Sequence, residues 1–452
     1  MPATSTLLVP PRPDPARAPL STLELGLKLG RNILSIWTED AYRQDLLVAP
    51  FFGVNSFTLN GSDAIRHVFV DNHEAYGRSL VTRRMLRPIL GRGLFLAEGE
   101  EWRRQRRALA PAFTPRSIDP LRGIMTAVAR EKLDQLASRV GRPIDLFAFT
   151  QRLALEVAGR TMFSLEMSDR AEEMRRHVDA YAEAIGPSLF DLVLPEAWPN
   201  PTDLRRRRIA RRWRRFIEDL IDERRTQGAA PEAPRDLFDL LTTASDAGDG
   251  AEERAYLRDQ VATMILAGHE TTAIGLFWSF LLLALDPAVQ DRAAAEACAW
   301  PGNNGAAIPT QLPFLHAVAS EALRLYPPAF LVTRVALKPD RIGARRVNPG
   351  DIVSVSPWLL HRSARRWRDP HAFDPSRFLP DAPAVDRFAY LPFGIGPRVC
   401  IGAHFAMTEL VLVLAEALKR YRFERTDSEP VLPVAVVTLR PDHKARFRLR
   451  PR

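Results

Sequence analysis

The stretch Phe393–Gly402, with the sequence Phe-Gly-Ile-Gly-Pro-Arg-Val-Cys-Ile-Gly, decides how the rest of the chain is interpreted. Cys400 stands directly before a helical run that starts at Ala403, so we expect its sulfur to lie near backbone N–H groups and the positive end of a helix dipole. Both features favour the thiolate form. A thiolate held in this way is a strong metal ligand.

The neighbours of Cys400 fit a flat ligand that carries negative groups. Gly394, Gly396 and Gly402 allow the backbone to approach a ligand closely. Phe393 offers an apolar wall, and the guanidinium of Arg398 suits a carboxylate. The alternative is a buried cysteine in a glycine-rich loop before a helix.

The composition says more about the cellular setting of the protein than about its fold. The chain has 452 residues, 63 Lys plus Arg against 54 Asp plus Glu, and a net charge of +9, which favours acidic partners or anionic surfaces. With only Cys298 and Cys400, we expect no disulfide framework and a reducing compartment. The N-terminus lacks a basic segment followed by a long apolar one, so we expect neither a signal peptide nor a membrane anchor.

We divide the chain into a proline-rich, largely unstructured arm at residues 1–20 and a single domain at residues 21–452. Helical periodicity dominates the domain. Short strand patterns occur at residues 44–48, 54–59, 329–334, 345–355 and 431–449. In the fourth of these, Pro349-Gly350 predicts a hairpin turn, and we expect the turn of the fifth to lie at a binding pocket. Residues 78–98 are predicted to be an irregular, pocket-lining connection, on which Arg83, Arg84 or Arg87 could anchor a substrate carboxylate or simply be solvated.

The most apolar segment is Val261–Leu285, which ends at Pro287. His269 and Glu270 divide it into pieces too short to span a bilayer, so we predict a long buried helix through the centre of the protein. A buried charge in mid-helix needs an explanation.

Five motifs, taken together, resemble those of the cytochrome P450 monooxygenases. They are Trp102-x-x-x-Arg106, Ala267-Gly268-His269-Glu270-Thr271, Glu321-x-x-Arg324, Phe373-Asp374-Pro375-Ser376-Arg377-Phe378, and the decapeptide around Cys400. They occur in the family's order across roughly residues 40 to 450. The chain departs at Ser376, where the family often has Glu, while Arg377 is retained.

The resemblance implies a mainly α fold with small β-sheets, in which haem b lies between the long central helix and the helix after the cysteine loop. Cys400 would be the metal ligand, and Thr271 and Glu270 the catalytic pair for O2. The residues that would contact the haem or its propionates are Trp102, Arg106, Ala267, Gly268, Arg334, Phe393, Arg398, Cys400 and Gly402. A structural triad would comprise Glu321, Arg324 and Arg377, and the substrate pocket would include Leu86, Leu90, Phe330, Leu331 and Val332.

The resemblance also implies a soluble, cytoplasmic, bacterial-type enzyme that inserts one oxygen atom of O2 into a lipophilic substrate by hydroxylation or epoxidation. Electrons from NAD(P)H would arrive indirectly, through an acidic ferredoxin or a flavodoxin-type donor. One alternative is a haem-thiolate enzyme that uses peroxide or rearranges its substrate. A third class, a basic nucleic-acid-binding protein, is suggested by the arginine-rich residues 205–215. The apolar stripe of that segment favours an amphipathic helix with a solvated basic face.

Overall fold

The computed structural model describes residues 7–452 apart from 22–23, 26–27, 29–30, 186–200, 227, 229–235, 244–249 and 303–304. The sequence also predicts a surface loop at residues 227–235 and a helix at 23–37, and most of the loop and part of the helix lie outside the described residues. Within the second of these segments, Ile33–Ile36 forms a 3-10 helix.

Helices make up most of the described chain. In chain order they are α1 (Ser62–Arg66), α2 (Leu80–Leu90), α3 (Gly99–Leu109), α4 (Pro115–Ile118), α5 (Arg122–Asp134), α6 (Leu146–Met162), α7 (Ala171–Ile185), α8 (Pro201–Thr226), α9 (Leu237–Thr243), α10 (Ala251–Leu285), α11 (Pro287–Ala299), α12 (Ile308–Gln311), α13 (Pro313–Leu325), α14 (Pro357–Leu360) and α15 (Ala403–Arg420). A π-helical turn, His67–Asp71, continues α1.

The strands are short. They are β1 (Leu46–Phe51), β2 (Val54–Leu59), β3 (Tyr76–Gly77), β4 (Pro143–Asp145), β5 (Val332–Ala336), β6 (Asp340–Ile342), β7 (Arg345–Val347), β8 (Ile352–Val355), β9 (Tyr421–Arg425), β10 (Pro433–Ala435), β11 (Leu439–Pro441) and β12 (Arg446–Pro451). They form a five-stranded sheet in the order β1-β2-β8-β5-β3, a three-stranded sheet in the order β4-β12-β9, and the pairs β6-β7 and β10-β11. The predicted class, mainly α with small sheets, is confirmed.

The long helix α10 is the centre of the core. It is buried on all sides over most of its length, as expected for a helix that is apolar all round. The indole ring of Trp278 stacks on Tyr326 with 4.0 Å between ring centroids, and Trp278 Nε1 donates to Leu439 O at 2.9 Å. Among the described residues, α10 is the one helix long and apolar enough to cross a membrane, but 78% of its most apolar window is buried inside the protein. That burial is typical of a core helix.

Residues 80–90, predicted to be irregular, form the helix α2 instead. Ser79 caps its first turn by accepting a hydrogen bond from Thr82 N at 3.2 Å. Pro88 lies in the last turn, where its carbonyl accepts from the side chain of Arg214 at 3.1 and 3.2 Å. The apolar residues recur at helical spacing, but the proline and three arginines concealed that pattern.

The hairpin predicted for residues 345–355 is also wrong in its pairing. β7 pairs with the preceding β6, with Asp340 opposite Val347. β8 instead lies between β2, to which it is parallel, and β5, to which it is antiparallel. The strand β2 precedes β8 by hundreds of residues, and a local turn signal cannot reveal a pairing between such distant segments.

The described part of the N-terminal arm packs onto the domain. Phe373 N donates to Leu8 O at 2.8 Å, and the Tyr326 hydroxyl donates to Pro11 O at 3.1 Å. Ala16 is buried and bridges to Thr38. The arm is thus extended, as predicted, but its described part is ordered by contacts with the core, contrary to the prediction that it is largely unstructured.

Candidate active site

The cysteine loop is held in shape by backbone hydrogen bonds and by two glycines. Cys400 N donates to Phe393 O at 2.9 Å, which closes the loop just before α15. Gly394 and Gly396 have φ angles of +74° and +75°, a region that glycine adopts without strain. A Cβ on Gly396 would lie 1.9 Å from Phe69 O, so the loop is packed directly against the backbone after α1.

The thiol of Cys400 faces a large cavity, where its accessible surface lies. Burial by the surrounding protein raises the pKa of this thiol, while the N–H of Gly402 and the charge of Arg106 oppose that rise. The predicted stabilisation of the anion by a backbone N–H is therefore present, but it does not outweigh desolvation. A metal at the sulfur would supply the missing charge.

Four arginines and a tryptophan surround the same end of the cavity. Arg398 Nη1 donates to Ala97 O at 2.9 Å, and its guanidinium lies over the Trp102 ring, 4.5 Å from the centroid. Arg334, from β5, is buried, and its guanidinium lies over the Phe69 ring at 5.4 Å. Arg106, four residues after Trp102 on α3, also lines this end. The structure thus brings the predicted Trp102, Arg106, Arg334 and Arg398 together.

The fourth cation, Arg78, was missed by the sequence analysis. It follows β3, its guanidinium lies over the Phe95 ring at 4.4 Å, and its Nε is a buried donor without a hydrogen-bond partner among the described residues. Burial, together with the charges of Arg334 and Arg398, lowers its pKa well below the ordinary value. The only sequence signal was an arginine after a short apolar strand, which is too common to be selective.

Burial also lowers the pKa of Arg334 to about 10, with Arg398 as the second cause. Several desolvated cations at one end of a cavity are costly unless a ligand brings negative charge. The two propionates of a haem are carboxylates that would meet this need, and Cys400 stands at the same end. The residues present therefore fit haem b.

The middle of α10 forms the opposite wall. Ala267 and Gly268 line the cavity and present no bulk to it. Thr271 also lines it, and its hydroxyl donates to Ala267 O at 2.6 Å, one turn earlier. Glu270 is buried, and its Oε1 accepts from Arg440 Nε at 2.6 Å and from Thr438 Oγ1 at 2.8 Å. The sequence analysis missed both of these partners, although it placed the turn of their hairpin at the pocket, which the structure confirms.

The whole cavity has a volume of about 1470 Å³, and the remainder of its wall is mainly apolar. All five residues predicted to form the substrate pocket lie on its wall: Leu86, Leu90, Phe330, Leu331 and Val332. On α2, the apolar face points to the cavity and the arginines do not. Arg84 Nη2 pairs with Asp203 Oδ2 at 3.0 Å, Arg83 Nη1 approaches Glu98 Oε2 at 3.5 Å, and Arg87 is exposed. These contacts do not support a substrate carboxylate anchored by the three arginines.

The predicted structural triad is assembled behind the site. The carboxylate of Glu321, fully buried, accepts from Arg324 Nε and Nη2 at 2.6 and 2.7 Å, and Arg377 Nε lies 3.4 Å from Glu321 Oε1. Arg324 also donates to the carbonyls of His361, Pro370 and Ala372. The triad thereby fixes the segment that leads to the cysteine loop. Ser376 does not disturb the triad, because its hydroxyl donates a hydrogen bond to Asp374 Oδ1.

Comparison with known proteins agrees with this geometry. The family model for cytochrome P450 matches residues 45–447. The chain belongs to the cytochrome P450 family. The family uses haem b and O2, a small-molecule substrate and redox partners, and the chain is a P450 monooxygenase. The roles of its individual residues remain predictions.

Several relatives are bacterial. Cyclooctatin synthase of Streptomyces melanosporofaciens is 33% identical over 82% of this chain and 81% of its own. Cyclooctat-9-en-7-ol 5-monooxygenase of the same organism is 34% identical over 74% and 73%, and pentalenene oxygenase of Streptomyces avermitilis is 32% identical over 81% and 81%. These relatives support a bacterial-type P450.

Solved structures show the same fold. The crystal structure of one cytochrome P450 superposes with a TM-score of 0.80 at 26% identity and covers 98% of this chain and 100% of its own. A P450 haem domain superposes with a TM-score of 0.76 at 24% identity, over 90% of each chain.

The match to the family decides against the nucleic-acid-binding alternative as the class of this protein. In agreement, α8 buries Trp213, Phe216 and Ile217 and exposes most of its arginines, although Arg206 and Arg224 are buried.

Proposed function

We propose that this P450 hydroxylates or epoxidises a neutral, lipophilic carbon skeleton in the bacterial cytoplasm. The observation that carries the proposal is the cavity itself, which runs from the thiol of Cys400 past Thr271 to an apolar wall. An apolar wall with few polar groups binds a substrate by burial of its carbon surface. The names of three relatives, cyclooctatin synthase, cyclooctat-9-en-7-ol 5-monooxygenase and pentalenene oxygenase, support a cyclic alkene or alkenol over a fatty acid.

Cys400 would hold the haem iron, and Arg78, Arg106, Arg334 and Arg398 would hold its propionates. When bound, a thiolate-ligated haem would supply the oxidation chemistry, and the electron density of the thiolate would favour O–O cleavage.

The protein's own groups would position and move protons. Ala267 and Gly268 leave space beside the helix for a diatomic ligand. The Thr271 hydroxyl, which now donates to Ala267 O, can turn to donate into the cavity. Glu270, one residue earlier, would replace the proton that Thr271 passes on. The apolar residues of α2 and of the segment before β5 would exclude bulk water and orient the substrate.

Electrons would come from NAD(P)H through a separate acidic ferredoxin or flavodoxin-type donor. The support is electrostatic: the chain has a net charge of +9, and Arg104 and Arg107 of α3 are exposed on the helix that carries Arg106. Arg103 of the same helix is paired with Glu74 and Glu100, which leaves it less available to a donor. Complementary charge would raise the association rate of such a donor.

The first test is the ferrous–carbon monoxide difference spectrum of the purified protein, with Cys400→Ala as its control. We expect the red-shifted Soret band of a thiolate-ligated haem, and its loss in the variant. A haem without that band in the wild type would overturn the assignment of Cys400.

The second test is turnover of pentalenene and cyclooctat-9-en-7-ol under ¹⁸O2 with NADPH, a ferredoxin and its reductase. One ¹⁸O atom in the product supports the proposal. Label that enters only from H2¹⁸O2, without reductant, would instead establish the peroxide-using alternative, for which the structure offers no specific support.

A further inference from the structure

The side chain of Glu270 is held in place by hydrogen bonds from the C-terminal hairpin, β10–β11. Its Oε1 accepts two hydrogen bonds from the β10–β11 hairpin, from Arg440 Nε at 2.6 Å and from Thr438 Oγ1 at 2.8 Å. The Glu270 side chain is 7% exposed and that of Arg440 is 23% exposed, so their ion pair is partly buried. Both hairpin residues line the cavity with Glu270.

A second carboxylate holds Arg440 from the other side. Asp179, on α7, approaches Arg440 Nη1 with its Oδ1 at 3.3 Å, and its Oδ2 accepts from Arg175 Nη1 at 2.8 Å. Arg440 therefore bridges the central helix, the hairpin and α7, a helix that also lines the cavity with Val178.

The electrostatics follow from these contacts. Burial alone would raise the pKa of Glu270, but the charge and hydrogen bond of Arg440, with smaller contributions from His269 and Thr438, lower it below the ordinary value. His269, the titratable neighbour on the same helix, has a pKa lowered to about 4 by its own burial, so it is neutral at pH 7. Arg440 is thus the cation that keeps Glu270 ionised near neutral pH.

We propose that Arg440 is a positioning residue for oxygen activation: it keeps the Glu270 carboxylate ionised and turned toward the hairpin, ready to take up a proton for Thr271. This inference rests on the proposed function, in which Glu270 supplies protons. Without Arg440, the buried carboxyl holds its proton at pH 7 and can no longer accept one from solvent.

The direct test is infrared difference spectroscopy of the haem-loaded protein, because it reports protonation without turnover. At pH 7 we expect Arg440→Gln to show an additional carbonyl stretch of a protonated carboxylic acid. That band should be absent from the wild type, from Arg440→Lys and from the double variant Arg440→Gln/Glu270→Gln. Burial raises the pKa of Glu409 well above the ordinary value, so we expect its protonated-carboxyl band, unchanged between variants, to serve as a reference in the absolute spectra.

The matched control is Arg450→Gln. Arg450 lies on β12 and pairs at 2.7 Å with Glu424 at the exposed edge of another sheet, so it removes the same charge far from Glu270. If Arg440→Gln does not fold, Asp179→Asn keeps both partners of the ion pair and removes the carboxylate that competes for Arg440, so it should shift the titration of Glu270 downward. No additional band in folded Arg440→Gln, or an unchanged Glu270 titration in Asp179→Asn, overturns the proposal.

The second readout is coupling, the product formed per NADPH consumed, as a function of pH. In Arg440→Gln we expect coupling to fall at pH 7 and to recover at least one pH unit higher than in the wild type, where the carboxyl ionises. The effect should vanish in the Glu270→Gln background. If the infrared band appears but Glu270→Gln alone leaves coupling unchanged, the ion-pair inference stands and the proton-supply role of Glu270 is wrong.

Discussion

The guanidinium of Arg398 lies over the indole ring of Trp102, with 4.5 Å between the guanidinium carbon and the ring centroid. The contact joins α3 to the cysteine loop, since Arg398 stands two residues before Cys400. With its hydrogen bond to Ala97 O, it orients a partly desolvated cation at the cavity end where we place the haem propionates. A cation held in advance loses less conformational entropy when a carboxylate binds.

Replacing this cation should weaken haem binding. A charge-assisted hydrogen bond contributes about 1.5–3 kcal/mol, so Arg398→Gln is expected to lower haem affinity roughly tenfold to a hundredfold. The rate of haem transfer to excess apomyoglobin measures the loss. Arg107→Gln, an exposed change on α3, is the control. Equal transfer rates for the two variants would contradict the propionate assignment.

A methyl group on Gly396 should be far more damaging than one on Gly394. Both glycines have positive φ, which costs other residues about 1–2 kcal/mol, but only Gly396 would place a Cβ 1.9 Å from Phe69 O. Gly396→Ala is therefore expected to displace the loop and reduce haem incorporation during expression, whereas Gly394→Ala, with no atom within 4 Å, loses only the conformational term. The ratio of Soret to protein absorbance measures incorporation, and comparable ratios would show that the loop can move.

Removing the Glu321 carboxylate should destabilise the whole fold. Glu321→Ala leaves the buried cation of Arg324 without its carboxylate, a change that costs about 3–5 kcal/mol in free energy of unfolding. Glu100→Ala removes the same group from an ion pair in which Glu100 is 86% exposed, and should cost less than about 1 kcal/mol. Urea unfolding followed by tryptophan fluorescence compares them. A similar midpoint for both variants would mean that the triad contributes little.

Acid should destabilise the protein through neutral buried histidines. Burial lowers the pKa of His361 well below 6.5, and its ring is fixed between Arg324 O at 3.1 Å and Leu391 N at 2.8 Å. The unfolded chain takes up a proton near pH 6.5 that the folded chain does not, so this stability is present above pH 6.5 and is lost as pH falls. From pH 7 to 5 the loss from one such group is about 2 kcal/mol.

The variant His361→Gln should therefore lose stability at pH 7 but show a shallower decline on acidification. Unfolding free energies of wild type and variant at pH 7, 6 and 5 test this, and their difference should shrink by about 2 kcal/mol. A constant difference would mean that His361 takes up its proton equally in the folded and unfolded chains.

Much of the fold and part of the site could be predicted because their signals are local. The thiol before α15 and the three-residue spacing of Glu321 and Arg324 lie within one or two helical turns, and the apolar residues of α10 lie on one continuous helix. α2 was missed because Pro88 and its arginines concealed a periodicity that the packing of α8 against it stabilises. The hairpin predicted for residues 345–355 was wrong because β7 pairs with β6 directly before it, while β8 pairs with β2, which lies far away along the chain.

The sequence by itself determined the chemistry on offer: a cysteine ahead of a helix, a buried helix with an acid and a threonine in its middle, and an apolar wall. Only the tertiary structure decided which of 63 basic residues face the cavity, among them Arg78, and that Glu270 is held by Arg440, 170 residues away. The physical reason is the distance along the chain between the residues that interact. Hydrogen-bonding and hydrophobic patterns within a helix depend on neighbours along the chain, whereas charge partners meet only after the core has packed.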